Sequence, residues 1–177
     1  GLSQADSRNL RFALTALMQI EPQIKAYTAK FDIQRLAIIL GTSTSGIADN
    51  EPVLKAHFQH QSMTPVQHQK QEMGCLAQSL QQYLGWEGAA YTISTACSSS
   101  AKAMAAGQRL LNANLADAVL VGGVDTLCQL TLNGFNSLES LSNSICRPCG
   151  EQRDGINIGE AAGLFLLAKA PAPVMLL

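Results

Sequence analysis

The sequence predicts an α/β fold built on a largely parallel sheet. Two observations carry that expectation. Short apolar runs rich in β-branched residues alternate with longer segments of helical apolar spacing. This is the pattern of strands buried on both faces and joined by helices. Hydrophobic residues make up 47% of the chain and charged residues 14%. That supplies a substantial core but little charge to cover a free surface, so part of the surface is expected to be buried against something. A net charge of −1 and the lack of any basic block argue against a general nucleic-acid binder.

The elements follow in order. Ser7 can cap a helix through Leu10, Phe12, Ala13, Leu14, Leu17 and Met18, with Pro22 following its end. Leu36–Leu40 is a short apolar run closed by Gly41 and reads as a buried strand. The loop Thr42-Ser43-Thr44-Ser45-Gly46 is small and polar, as loops beside ligands often are. Thr64-Pro65 makes a helix start, hydroxyl as cap and proline first, for a helix through Val66, Met73, Leu76, Ala77, Leu80 and Tyr83 to Gly85. Ala90–Thr95 is a second strand. A third helix starts just past Cys97 and runs to about Ala113. Its Ala101, Ala103, Ala105, Ala106 and Gly107 let it press closely on its neighbours. Ala118–Gly123 and Gly163–Ala168 are the third and fourth strands. No repeat or linker divides residues 1–177.

No run of about 18 apolar residues suggests a membrane helix. The first residues, Gly1-Leu2-Ser3-Gln4-Ala5-Asp6, lack the basic and then apolar layout of a secretion signal. The five cysteines, 75, 97, 128, 146 and 149, have no disulfide-framework spacing. Free thiols in the cytoplasm are therefore expected.

Cys97 stands where the second strand ends and the third helix begins. Unpaired N–H groups of the first helical turn and the helix dipole stabilise negative charge there, which favours the reactive thiolate. The same groups can hold the oxyanion of a tetrahedral thioester intermediate. The competing reading is a buried structural cysteine.

The surrounding residues decide between them. Ile93-Ser94-Thr95-Ala96-Cys97-Ser98-Ser99 resembles the nucleophile motif of β-ketoacyl-acyl-carrier-protein synthases, the ketosynthases of thiolase fold. Ala118–Asp125 resembles the family's strand ending in a double glycine and an acid. Gly134-Phe135 with Leu141-Ser142 resembles its loop beside the acyl pocket. Arg147-Pro148, Arg153-Asp154-Gly155 and Gly159-Glu160-Ala161-Ala162-Gly163 complete the ordered set. The match runs from about Ser7 to Lys169. The segments Gly41–Gly46 and Leu132–Leu141 look most like ketosynthases of bacterial aryl-polyene pigment clusters.

The resemblance implies a thiolase-like fold, a mixed sheet with helices on both faces, and a condensing acyltransferase of fatty-acid or polyketide type. Cys97 would accept an acyl group from acyl carrier protein, with its own N–H as half of the oxyanion hole. Phe135 would stand at the gate of the pocket, Ile47 or its neighbours would line the acyl channel, and Arg153 and Glu160 would brace nearby loops. It implies no metal or organic cofactor, since phosphopantetheine arrives on the carrier. It also implies dimerisation through Ala90–Thr95, with an identical or a ketosynthase-like partner. A non-catalytic chain-length subunit, a thioester-cleaving cysteine hydrolase and a carrier-binding module are the alternatives. Cys97 speaks against the first, and the segment offers no base for the second.

The family's condensing histidines and lysine lie in its second half and have no counterpart here. His57, His60 and His68 precede the nucleophile and are expected to face solvent. The resemblance therefore implies an N-terminal half of a longer chain, without condensing activity by itself. It also implies a missing first strand, expected at the centre of a 3-2-1-4-5 sheet, which would leave a gap between the first and third strands read above. Cys146-Arg147-Pro148-Cys149 has redox or zinc spacing, but nothing in the sequence completes a metal site. Gly122-Gly123 lacks the rest of a phosphate loop, and the Cys97 segment is not the G-x-S-x-G of an α/β-hydrolase.

Overall fold

The computed structural model describes residues 6–60, 65–170 and 174. Its sheet has four strands: β1 (Leu36–Gly41), β2 (Ala90–Ile93), β3 (Ala118–Asp125) and β4 (Ala161–Ala168), in the order β2-β1-β3-β4. β2, β1 and β3 run parallel, and β4 is antiparallel to β3. Successive side chains of β1 and β3 point to opposite faces, and both faces are covered. Leu36, Ile38, Leu40, Leu120 and Val124 meet the helices α1 (Arg8–Thr28) and α4 (Cys75–Leu84). Ala37, Ile39, Val119 and Val121 meet α5 (Ser99–Asn112). This two-sided demand is why both strands read as continuous apolar runs.

The expected gap in the sheet does not exist. β1 pairs directly with β3, from Leu36↔Ala118 to Gly41↔Gly123. Both strands are central, and leaving their backbone groups unpaired in the core would be costly. Arg35 fixes the register at the start of the pair: its Nε and Nη2 donate to the two oxygens of Asp117 at 2.7 and 2.8 Å.

Three helical readings also change. α1 continues through Pro22 to Thr28. The hydrogen bond that Pro22 cannot make would go to the carbonyl of Met18, a residue 60% exposed, where water can replace it. Meanwhile the buried positions Leu10, Ala13, Leu17, Ile24 and Thr28 keep one continuous face. The helix expected from Thr64 to Gly85 is two pieces. Thr64 itself lies outside the described residues, Pro65 is in coil, and α3 (His68–Gln71) is separated from α4 at Gly74. The break has a tertiary cause: the carbonyl of Lys70 accepts from Gly46 N (2.9 Å), and those of Lys70 and Glu72 accept from Ser45 Oγ (3.2 and 3.3 Å). Finally, α2 (Ile47–Phe58) forms where no helix was read. Of its side chains only Asn50 is buried, so it lacks the apolar stripe that reveals a helix.

Candidate active site

A cavity of about 980 Å³ opens at the C-terminal ends of β1 and β3. This is where parallel α/β sheets commonly hold ligands. Its walls include Ser43 and Thr44 after β1, Ala96 and Cys97 before α5, Asp125 at the end of β3, and Phe135 on α6 (Gln129–Ser137). Cys97 and Phe135, 38 positions apart in sequence, thus share one space.

The seat of Cys97 begins in two glycines. Gly41 and Gly123 are paired across β1 and β3. A Cβ built on Gly41 would lie 2.5 Å from Ser100 N, and one on Gly123 would lie 2.7 Å from Ser100 Cβ. The first turn of α5 therefore rests directly on the sheet, where any larger residue would stand. Further along, Gly107 packs against Val121 in the same way, with only 2.8 Å to Cγ1 for a Cβ. Gly122-Gly123 is thus an interior stretch of β3 and not a phosphate loop.

Between β2 and α5 the chain makes a tight turn. Ala96 has φ +53°, an uncommon value for a residue with a side chain. The turn is held by Ser98 and Ser99: Ser98 Oγ donates to Thr95 O (2.9 Å), and Ser99 Oγ donates to Ala96 O (2.7 Å) while accepting from Thr95 N (2.9 Å). Cys97 is exposed at the tip, just before the helix N-terminus. Among the described residues its N–H has no hydrogen-bond acceptor.

The other anticipated residues separate. Ile47 does not line the cavity; its neighbours Ser43 and Thr44 do. The chain turns at Ser45 (φ +46°) and Gly46, which is bonded to Lys70, so Ile47 starts α2 beyond the rim. Glu160 reaches two elements. It pairs with Arg8 at the start of α1 through Nη2 and Nε (3.0 Å to Nε), and it accepts from Leu127 N (3.2 Å) ahead of α6. These partners, the Arg8 hydrogen bond above all, hold its carboxyl below the usual glutamate range. Among the described residues the Arg153 side chain makes only a local bond, to Gly150 O (3.3 Å). Its neighbour Asp154 joins the loop by accepting from Ser142 Oγ (2.8 Å). His57, His60 and His68 are exposed. Cys146 is half-buried and Cys149 exposed, and among the described residues no three His, Cys, Asp or Glu side chains are placed to hold a metal.

Asp125 was legible only as part of a motif, yet it organises the rim. Its Oδ1 accepts from Ser43 N (2.7 Å) and Thr44 N (3.0 Å), which fixes the polar loop after β1. The available signal was an acid ending a buried strand opposite a hydroxyl-rich loop.

The family model for the β-ketoacyl synthase N-terminal domain matches residues 7–172. The chain belongs to the β-ketoacyl synthase family. Among curated relatives it is 30% identical over 149 residues to the chloroplastic 3-oxoacyl-[acyl-carrier-protein] synthase II of Arabidopsis thaliana, covering 78% of this chain and 27% of the relative. Against the barley (Hordeum vulgare) chloroplastic synthase I it is 26% identical, covering 78% of this chain and 32% of the relative. The chain thus spans about a quarter to a third of those synthases. Among solved structures it is 46% identical, with a TM-score of 0.89, to a chain of the ketosynthase ApeO in complex with its chain length factor ApeC from Xenorhabdus doucetiae. That match covers 97% of this chain and 44% of the other. The ishigamide ketosynthase/chain length factor, at 23% identity and a TM-score of 0.81, shares the fold. This chain of the family accordingly has the thiolase-like architecture, with β4 as its antiparallel strand.

Proposed function

We propose that this chain carries the acyl-accepting half of a β-ketoacyl-acyl-carrier-protein synthase, with Cys97 as nucleophile. The observation that carries the reading is the placement of Cys97. It sits on a positive-φ turn at the N-terminus of α5, and it faces a 980 Å³ cavity that Phe135 also lines. The Cys97 thiolate attacks the carbonyl carbon of a carrier-bound thioester. The oxyanion forms against the Cys97 N–H. Collapse breaks the carrier C–S bond, and the carrier thiolate leaves and takes up a proton. The acyl group remains on Cys97. Condensation follows when a malonyl thioester loses carbon dioxide and its carbanion attacks the acyl carbonyl, releasing Cys97. The groups that promote decarboxylation would come from the family's second half. The chemistry calls for no metal or organic cofactor in this chain, and phosphopantetheine arrives on the acyl carrier protein.

A ketosynthase-like partner, identical or homologous, would pair along the outer edge of β2. That strand ends the sheet and presents unpaired backbone groups, with Tyr91 exposed beside them. The likeness to a ketosynthase solved with its chain length factor supports a heterodimer. Among the described residues no helix is long and apolar enough to cross a membrane. The proposed site of action is on a carrier in the cytoplasm.

Incubation with an acyl-carrier thioester, then peptide mass spectrometry, tests the reading. An acyl adduct on Cys97, lost in Cys97→Ala, is expected. An adduct on another cysteine, or none, would refute it. Thioester consumption without a stable adduct would make the chain a hydrolase.

A further inference from the structure

We propose that Asp125 is a positioning residue for Cys97, acting through Ser43 on the peptide bond between Ala96 and Cys97. The proposal rests on the reading of Cys97 as acyl acceptor.

One oxygen of Asp125, Oδ1, accepts four hydrogen bonds. They come from Thr42 Oγ1 (3.0 Å), Ser43 N (2.7 Å), Thr44 N (3.0 Å) and Thr44 Oγ1 (3.0 Å). The two hydroxyls that donate to it are held from behind. Thr44 Oγ1 accepts from Thr126 N (3.2 Å), and Thr42 Oγ1 accepts from Ser45 N (3.0 Å) and from the buried Asn9 Nδ2 (3.5 Å). Asn9 Nδ2 also donates to Val124 O (3.0 Å). Each hydroxyl thus donates forward and accepts behind, so its rotor is set. A carboxylate is suited to this task because it is purely an acceptor and its charge shortens and strengthens such bonds.

From this fixed loop one side-chain bond crosses to the nucleophile. Ser43 Oγ donates to Ala96 O at 3.2 Å. The Ala96 carbonyl and the Cys97 N–H belong to one planar unit, so a donor that holds the carbonyl also aims the N–H the opposite way. Ser99 N (3.1 Å) and Ser99 Oγ (2.7 Å) hold the same carbonyl from the helix side. The positive φ of Ala96 makes this unit one that would relax if released. Ser99 pins it to α5, and Ser43 pins it to the rim of the sheet. Asp125 therefore sets the direction of the N–H that meets the developing oxyanion, from the rim of the cavity.

The test uses the full chain and hexanoyl-pantetheine. Acylation of Cys97 is followed by mass spectrometry over a range of thioester concentrations. Asp125→Asn and Ser43→Ala are each expected to lower the maximal acylation rate constant about tenfold, a fraction of the ~10²–10³ carried by a whole oxyanion donor. The half-saturating concentration should stay unchanged. Ser43→Thr, which restores the hydroxyl, should recover the rate. Ser43 is exposed, so its variants remain informative even if Asp125→Asn unfolds. Wild-type rate constants in both variants overturn the proposal. So does a loss confined to the amount of adduct, which reports misfolding alone. If the wild-type chain takes no acyl group, the acyl-acceptor reading fails. Positioning is then read from alkylation of Cys97 by iodoacetamide relative to Cys149 in the same molecule. A several-fold slowing in Ser43→Ala upholds it, and an unchanged ratio overturns it.

Discussion

Gly41→Ala tests the seat of Cys97 most directly. The new Cβ would stand 2.5 Å from Ser100 N, 2.6 Å from Ser99 C and 2.9 Å from Ser100 Cα. All three atoms are backbone, so no side-chain rotation can relieve them. Ordinary contact is about 3.5 Å, so the first turn of α5 must retreat by about 1 Å, or β1 must sag into the α1 side of the core. Overpacking of this kind costs about 1–3 kcal/mol. For a chain of this size that corresponds to a fall in melting temperature of roughly 2–12 °C. The effect on chemistry should be larger, because a displacement of about 1 Å at a reacting group can cost ~10²-fold in rate. Thermal unfolding followed by circular dichroism gives the first number, and the rate of Cys97 acylation in the folded fraction gives the second. Gly74→Ala is the control: its backbone is already helical and its nearest neighbour, Gln78 Nε2, is 3.9 Å away. That variant should match the wild type or gain a few tenths of a kcal/mol, about what removal of glycine from the unfolded chain provides. A Gly41→Ala protein with wild-type melting and wild-type acylation would show that α5 does not rest on the sheet as described.

Two further perturbations probe the scaffold. Leu120→Ala removes a fully buried side chain between β3 and the α1 side of the core, and urea unfolding should show a loss of about 2–5 kcal/mol. Glu160 has a folded-state carboxyl held below its ordinary value, first by its hydrogen bond to Arg8 and then by the Leu127 N–H. Its contribution is therefore present above the ordinary carboxylate value of about 4.3 and is lost as pH falls through the depressed folded value. Wild type should melt lower as pH falls below about 5, and Glu160→Gln should lose part of that dependence. Identical acid profiles would remove Glu160 as a brace.

Several elements around the site are legible in the sequence, for reasons of local chemistry. The apolar run at Leu36–Leu40, the Ala118–Gly123 run and the small-residue helix after Cys97 each fall within two residues of the observed elements. Each carries its signal within its own segment: burial on both faces for the strands, and close approach for the helix. Phe135 was legible through the motif around it. Ile47 was not, because its direction depends on Ser45 and Gly46 binding the carbonyls of Lys70 and Glu72, over twenty residues away.

The same divide separates what the sequence by itself determined from what only the tertiary structure decided. Residue pattern placed Cys97 at a strand-to-helix junction, because strand and helix signals are local properties. It misjudged the direct pairing of β1 with β3, the reach of α1 past Pro22 and the break before α4. Those depend on which distant groups satisfy a carbonyl or pair with a strand. Only the folded chain brings Gly41 and Gly123 under Ser100, and joins Asp125, Ser43 and the Ala96 carbonyl into one chain of hydrogen bonds. The motif around Cys97 is written in seven residues, but the orientation of its turn is set by contacts between segments more than fifty residues apart.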